Sequence, residues 1–321
     1  MDAANNTTFR QFNATQSGGT RPGWNPILGF LTAIAAIAVI LNIGILLLQL
    51  SPRMRLTSFT IYLIFICISN LPGLAVMRVI AVINTVRGAW PGGQPVCILY
   101  MYVQFVITQI PVFLHVLISV NRLWAFQYPH SYRRHHSQKT AALLCLGTVA
   151  YVHLVHFPLF LLEFFYYSPP GRHNNCQPGA GGILEWRRAD IVLHRFIPLL
   201  LVIGIYIYMT VTRWKNRRAV NNDSNAGTSQ GVSGSETKAS ATEGVRSRRL
   251  RRKYARQRKV KPFLVLTMTT LSVLVCWLPA DIYWAMLYAG IQMPFWAFNV
   301  SIILTALQTI FDPLMWLLSL K

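Results

Sequence analysis

Acidic residues are scarce in this sequence. Only 9 of its 321 residues are Asp or Glu, against 30 Lys and Arg, and charged residues together make up 12%. Hydrophobic residues make up 53%, and the mean hydropathy is +0.40. These values exclude a soluble globular protein of this length, because such a protein carries about 25% charged residues. The composition therefore predicts a protein that resides in a lipid bilayer.

Motifs for catalysis and for metal binding are also missing. The sequence contains no H-E-x-x-H, and the adjacent pair His135 and His136 lacks the spacing of zinc ligands. We therefore predict that the protein is not an enzyme and that it holds no metal and no cofactor.

Seven apolar runs are long enough to cross a membrane, since a spanning helix needs about 20 residues. They cover residues 27–50, 57–84, 97–120, 140–164, 190–212, 262–288 and 294–319. The fifth and seventh runs are interrupted by His194, Arg195 and Asp312, so re-entrant segments there are the alternative. The predicted fold class is an all-α membrane protein, a bundle of seven transmembrane helices.

The distribution of basic residues predicts the orientation of the bundle, because cytoplasmic loops hold the excess of Lys and Arg. With the N-terminus outside and the C-terminus inside, 22 of the 30 basic residues lie on the cytoplasmic side and 6 on the outer side. The net charge of +21 is then mostly a property of the cytoplasmic face, and it does not indicate binding of nucleic acid.

The N-terminal segment supports this orientation. Residues 1–26 contain three glycosylation sequons, which begin at Asn5, Asn6 and Asn13 and can be used only on the outer side. We therefore expect an extracellular, glycosylated N-terminus.

The rest of the chain divides into the bundle, residues 27–319, and a cytoplasmic end, residues 320–321. Within the bundle, residues 213–261 form the predicted third intracellular loop. Its first part, 219–245, is rich in Ser, Gly, Thr and Asn, and we expect it to be disordered. Its second part, 246–261, is strongly basic and is expected to attract anionic membrane lipids.

The positions of the cysteines predict one disulfide bond. Cys67, Cys145 and Cys276 fall within apolar runs, whereas Cys97 begins the third run and Cys176 lies in the loop after the fourth. The last two face the oxidising side in the predicted orientation, so we expect them to pair.

Motifs along the apolar runs resemble those of the rhodopsin-like (class A) G-protein-coupled receptors, and the resemblance covers residues 27–319. The strongest is C-W-L-P at Cys276–Pro279, which is similar to the C-W-x-P motif of the family's sixth span. The other matches, in chain order, are Asn42 and Asn70 at a separation of 28 residues, Trp90–Gly93 before Cys97, Arg122 at 25 residues after Cys97, Pro129–Arg133, Pro158, Pro198 with Tyr206, and Asp312–Trp316.

The resemblance implies an activation switch inside the bundle, in which the sixth helix moves about its proline. The switch residues it implies are Asn42, Asn70, Asn121, Arg122, Tyr206, Trp277, Pro279, Asp312, Pro313 and Trp316. Some positions depart from the family, which marks a divergent member. The D-R-Y triplet is Asn121-Arg122-Leu123, the tryptophan of the fourth span is Val149, and Trp316 replaces a tyrosine.

These departures change the expected chemistry of two switch positions. Arg122 lacks an adjacent carboxylate, which in the family pairs with this arginine and stabilises the resting state at the cytoplasmic end. Either that stabilisation is weakened here, or Arg122 bonds to backbone carbonyls or lipid phosphates. Asp312 stands where the partner of a second-span acid is expected, and Asn42, Asn70 and water are expected to satisfy it unless it is protonated. Because Pro111 replaces a hydroxyl, we favour a hydrogen-bonded switch over a sodium site.

Polar residues in the outer half of the runs are candidates for the ligand pocket. They are Arg78, Gln104, Glu163, His194, Arg195, Trp277, Asp281 and Tyr283. Gln104 occupies the place where amine receptors carry an aspartate, and the seventh run contains no lysine for a retinal Schiff base. Arg195 and Asp281 are expected to face each other, either as an internal ion pair or as separate partners for charged ligand groups.

The function that the resemblance implies is that of a plasma-membrane receptor for an extracellular peptide, as in neuropeptide receptors, or for another polar, non-amine ligand. Its partners would be a heterotrimeric G protein, arrestin and membrane lipids. The alternative is a seven-helix transporter or channel, which would be expected to show inverted repeats or paired broken helices. The sequence shows neither of these features.

Overall fold

A computed structural model describes residues 26–51, 56–87, 93–162, 165, 184–226, 267–268, 270–291 and 293–320. Seven helices in these ranges are long and apolar enough to cross a membrane, as the sequence predicted. They are α1 (Pro26–Leu50), α2 (Ser58–Arg87), α3 (Pro95–Gln127), α4 (Gln138–Leu162), α5 (Arg188–Asn216), α6 (Thr270–Leu287) and α7 (Trp296–Leu314).

Helical structure continues beyond several of these spans. A helix begins at Gly93 ahead of α3, Leu184–Ile191 leads into α5, and Phe295–Leu320 contains α7. A short helix, Pro129–His135, connects α3 to α4. The proline at its first position fits a helix start, where its missing N–H has no partner to lose.

The helices pack as a closed ring in which α3 lies at the centre. Neighbours in contact are α1 with α2, α2 with α4, α5 with α6, α6 with α7, and α7 with α1, while α3 contacts α2, α4 and α5. In the most apolar window of α3, 56% of the residues are buried, against 22–39% in the other helices. Outward side chains such as Ile40 and Leu154 are 70% and 76% exposed, which is expected of a surface that faces lipid.

Prolines lie close to the irregular turns of three helices. One-turn π-helical segments occur at Gly73–Met77 in α2, Val103–Ile107 in α3 and Val192–Phe196 in α5. Each lies within four residues of a proline, namely Pro72, Pro111 and Pro198. Proline removes a backbone N–H and displaces the carbonyl one turn before it. In α3 and α5 that carbonyl lies inside the π-helical segment, so the wider turn accommodates the change, whereas in α2 the segment follows the proline.

The expectation of disorder in the third loop is wrong for residues 219–226, and residues 227–245 lie outside the described part of the chain. The helix that contains α5 runs from Ile197 to Ala226, so residues 219–226 are helical and not disordered. Extending an existing helix requires no new nucleus, so polar residues of only moderate helix propensity can continue it. The basic run at 246–261 and the N-terminal sequons Asn5, Asn6 and Asn13 lie outside the described residues.

Candidate functional site

The sixth helix is broken at the C-W-L-P motif. Trp277 lies in a turn, and a new helical segment begins at Leu278 with Pro279 as its second residue. Backbone bonds still cross the break, since Trp277 N–H donates to Val273 C=O and Asp281 N–H donates to Trp277 C=O, both at 2.9 Å. The break gives the two halves of α6 a joint at a buried tryptophan.

A cluster of buried polar side chains lies below this joint and connects four helices. We call it the polar core: Asn70, His115, Ser272, Gln308 and Asp312. Gln308 Nε2 donates to Asp312 Oδ1 at 2.6 Å, and His115 Nε2 lies 3.1 Å from the same oxygen. Asn70 Nδ2 donates to Oδ2 at 3.3 Å, and Ser272 Oγ donates to Gln308 Oε1 at 2.7 Å. The Asp312 carboxylate thus joins α2, α3 and α7, and Gln308 connects this group to α6 through Ser272.

The polar core touches the tryptophan of the joint. The His115 and Trp277 rings meet edge to face, with centroids 5.1 Å apart and an interplanar angle of 84°. The His115 side chain is only 2% exposed. His115 Nε2 lies at hydrogen-bonding distance from Asp312 Oδ1 and also 3.4 Å from Gln308 Nε2. A movement of Trp277 therefore displaces His115 and changes the hydrogen bonds of the polar core.

The expectation that Asn70 contacts Asp312 was correct, and the same expectation for Asn42 was wrong. The amide of Asn42 donates to the backbone carbonyls of Ala38 and Thr309, at 2.8 and 2.9 Å, and so ties α1 to α7. Both oxygens of Asp312 already accept hydrogen bonds or an imidazole contact, and Pro111 offers no hydroxyl. The preference for a hydrogen-bonded switch over a sodium site stays a prediction.

At the other end of α3, Arg122 packs on an aromatic ring. Its guanidinium lies 4.0 Å from the centroid of the Phe59 ring in α2, a cation–π contact. Asn121 Nδ2 donates to Tyr132 Oη at 3.4 Å in the short helix Pro129–His135. Asn121 thus holds that helix, and it supplies no negative charge to Arg122.

Arg195 and Asp281 face each other across α5 and α6. The Arg195 Nε to Asp281 Oδ1 distance is 3.9 Å, and the side chains are 24% and 7% exposed. This is a long ion pair. The Arg195 side chain remains partly exposed, so it can also contact a group other than Asp281.

His194 is directed at α4 and away from Asp281. Its Nδ1 lies 2.8 Å from Asp190 Oδ1, one turn earlier in α5, and the same oxygen is 3.2 Å from His156 Nε2 in α4. Aromatic rings of Phe113, Tyr151 and Trp186 surround His194 with centroid distances of 5.9, 6.4 and 6.4 Å.

The remaining pocket candidates are spread over three helices. Arg78 in α2 is partly buried and interacts electrostatically with Tyr100 of α3. Gln104 is partly buried in the π-helical turn of α3. Tyr283 is buried against the rings of Trp284 and Phe298, each with its centroid 5.6 Å away. Glu163 lies outside the described residues.

Two further switch residues lie in the C-terminal halves of their helices. Tyr206 packs in an apolar cluster around Ile205 and Met209, and Pro313 is buried inside α7. The side chain of Trp316 lies outside the described part of the chain.

Sequence reasoning missed five side chains of these sites: His115, Ser272, Gln308, His156 and Asp190. Each is a polar residue in a spanning helix, and such residues often mark functional positions. The D-x-x-x-H spacing of Asp190 and His194 was a usable signal, because residues four apart lie on one helix face.

The cysteines agree with the expected pattern as far as they are described. Cys67, Cys145 and Cys276 are free and buried, and Cys97 is disulfide-bonded. Cys176 lies outside the described residues, so the pairing of Cys97 with Cys176 stays a prediction.

Seven apolar helices in a closed ring, a proline-broken sixth helix and a buried polar core define a receptor of the seven-transmembrane class. The family model described as 7 transmembrane receptor (rhodopsin family) matches residues 41–316. The chain belongs to this family, and it is a multi-pass protein of the plasma membrane. This membership favours a receptor over an enzyme, and over the transporter or channel alternative.

Curated proteins similar to this chain are histamine H1 receptors. The receptor of Rattus norvegicus is 22% identical over 204 residues, which cover 62% of this chain and 42% of that receptor. The receptor of Homo sapiens is 21% identical over 206 residues, with coverages of 63% and 42%. The chain therefore spans about 42% of the length of the curated relatives it matches.

Proposed function

We propose that this protein is a G-protein-coupled receptor that binds a polar, non-amine extracellular ligand of the peptide type. Binding above Trp277 shifts the balance between two positions of α6, and the cytoplasmic ends of α3, α5 and α6 then activate a heterotrimeric G protein. Arrestin and membrane lipids are further partners of that face.

The observation that carries this function is the contact between Trp277 and the polar core. A ligand that displaces Trp277 moves His115, and with it the hydrogen bonds that hold α7 to α2 and α3. Sub-ångström shifts at such a packed contact change the relative stability of two discrete arrangements, since packed interiors do not deform continuously.

The proposed ligand class is supported by the acidic side chains of the spans, because their carboxylates already have partners. Among described side chains, three carboxylates lie within the spans, and each is already engaged. Asp190 contacts two histidines, Asp281 faces Arg195, and Asp312 belongs to the polar core. An ammonium group would have to displace one of these partners. Arg78 has no carboxylate partner among the described residues, so it offers positive charge to a carboxylate or carbonyl of the ligand.

An amine ligand is the second candidate, because the relatives named above are histamine receptors. The two candidates differ at Gln104, which supplies an amide where an amine receptor is expected to supply a carboxylate. An amide binds an ammonium group more weakly, since it carries no net charge.

A ligand screen in cells separates the candidates. Cells expressing the chain are exposed to a panel of monoamines, including histamine, and to a peptide library, with G-protein activation as the readout. The Arg122→Ala variant at matched surface expression is the control for receptor-dependent signal. We expect activation by peptides alone; activation by a monoamine that Arg122→Ala abolishes would refute the proposed ligand class.

A further inference from the structure

The cluster of His156, Asp190 and His194 is built like a metal site between α4 and α5. One ligand atom from each residue lies within 4.8 Å of the other two. His156 and His194 are 6% and 5% exposed, and their ring centroids are 4.7 Å apart. The Asp190 side chain is 23% exposed, so the carboxylate provides the open side of the cluster.

In the neutral form of the His156 ring, one contact of the cluster is left without a hydrogen bond. His156 Nδ1 lies 3.0 Å from the carbonyl oxygen of Val152, so this nitrogen carries the N–H of the neutral ring. Its Nε2 then presents a lone pair to Asp190 Oδ1, which is also an acceptor, at 3.2 Å. Nε2 is buried and has no hydrogen-bond partner among the described residues. Two facing acceptors repel each other, and a cation between them turns that repulsion into attraction.

The ligand chemistry selects the class of cation. Two imidazoles and one carboxylate are the donors that Zn²⁺ uses in sites with three protein ligands and one open position. Mg²⁺ and Ca²⁺ prefer oxygen ligands alone, so they are poor candidates. The bond from His156 Nδ1 to a backbone carbonyl is also the outer-shell contact that orients metal-bound histidines.

The surrounding structure favours a fixed geometry. Asp190 and His194 are four residues apart in α5, and His194 lies in the π-helical turn Val192–Phe196. Such turns often mark functional sites, because they rotate one side chain out of the regular helical register. The rings of Phe113 and Tyr151 flank His194 and keep bulk water from one side of the cluster.

We propose that His156, Asp190 and His194 bind Zn²⁺, or another divalent transition metal with the same ligand preference, and thereby couple α4 to α5. Water or a ligand group takes the fourth position on the Asp190 side. His194 is followed directly by Arg195, so a bound metal also fixes the helix turn that presents Arg195 to Asp281. The proposal does not depend on the proposed ligand class or on G-protein coupling.

Thermal unfolding of the purified full chain tests the proposal. The protein, without a histidine tag, is stripped with EDTA in detergent and then titrated with zinc chloride. Because a ligand that binds only the folded state stabilises it, saturating zinc should raise the Tm by about 5 °C or more, and EDTA should reverse the rise. Magnesium chloride should have no effect.

The variants His156→Gln, Asp190→Asn and His194→Gln should lose the zinc-induced shift. His153→Gln is the matched control, because His153 lies in the same helix and bonds the carbonyl of Val149 in the same way. Its Nε2 contacts Tyr102 at 2.8 Å and not the cluster. This control should keep the full shift.

A second measurement uses the wild-type protein alone, in case a variant does not fold. Co²⁺ bound in place of Zn²⁺ should give the ligand-field absorption of a four-coordinate site, and one equivalent of Zn²⁺ should remove it. A zinc shift that persists in all three variants overturns the proposal, and so does wild-type protein that shows neither the Tm shift nor the cobalt spectrum.

Discussion

His115 in α3 and Asp312 in α7 form the contact that holds the centre of the bundle together, with 3.1 Å between Nε2 and Oδ1. Both side chains are almost fully buried, so the carboxylate depends on this partner and on Gln308 for solvation. A buried charge that loses one partner destabilises the folded state more than the pair stabilised it.

His115→Leu should therefore lower the stability of the purified receptor by about 1–3 kcal/mol, the usual cost of an unsatisfied buried group. Adding Asp312→Asn should recover part of the loss, because no buried charge then remains to be paired. Thermal unfolding of the two single variants and the double variant measures the coupling. His130→Leu, at an exposed histidine, is the control. Strictly additive losses would show that the two side chains do not support each other.

The Arg195–Asp281 pair gives a second prediction. If the two charges neutralise each other, Asp281→Asn leaves Arg195 uncompensated and lowers surface expression or basal signalling. Arg195→Gln on top of it should restore much of the loss. The readouts are surface expression and G-protein activation for the full mutant cycle. A double variant worse than either single variant would instead point to separate contacts with a ligand.

The predicted Cys97–Cys176 bond is tested by substitution. Cys97→Ser and Cys176→Ser should each reduce surface expression, and the double variant should be no worse than either one, because both remove the same bond. Cys67→Ser, at a free buried thiol, is the control for loss of a cysteine as such. Mass spectrometry of non-reduced protein that finds both thiols free would contradict the pairing.

His136 predicts how stability depends on pH. Its pKa is lowered, first by burial and then by the positive charge of Arg122, and its Nε2 lies 2.8 Å from the Tyr62 hydroxyl. Protonation of the unfolded chain begins near its ordinary pKa of about 6.5, whereas the folded state resists it. Stability should therefore fall as the pH drops below that value.

The fall should become smaller in His136→Gln, which cannot be protonated. The measurement is the Tm of wild type and variant at neutral pH and at mildly acidic pH, with His130→Gln as the exposed control. An equal acid-induced fall in His136→Gln and wild type would remove His136 from this account.

The sequence predicted the seven spans because length and hydropathy are local properties that the bilayer enforces. It also predicted that Asn70 lies near Asp312, since the family motifs place both residues in the core. It did not predict that His115 and Gln308 are the main partners, nor that the amide of Asn42 is directed to the Thr309 carbonyl. Which faces of two helices meet depends on their rotation, and each π-helical turn shifts that rotation by a fraction of a turn. No local pattern encodes the sum of these shifts.

Basal signalling tests the central claim. It states that this chain is a G-protein-coupled receptor in which α3 has no acidic residue next to Arg122 to stabilise the resting state. Asn121 donates to Tyr132 and gives Arg122 no charge, whereas a charged hydrogen bond there would be worth about 1.5–3 kcal/mol. Loss of even about 1.4 kcal/mol of preference for the resting state raises a small active fraction about tenfold.

The most direct measurement is ligand-free activation of heterotrimeric G proteins in cells that express wild type, Asn121→Asp or Arg122→Ala at matched surface levels. We predict that wild type activates a G protein above untransfected cells, that Asn121→Asp reduces this activity several-fold, and that Arg122→Ala abolishes it. Wild-type activity no higher than background for every G-protein class, or activity that Asn121→Asp leaves unchanged, would contradict the account.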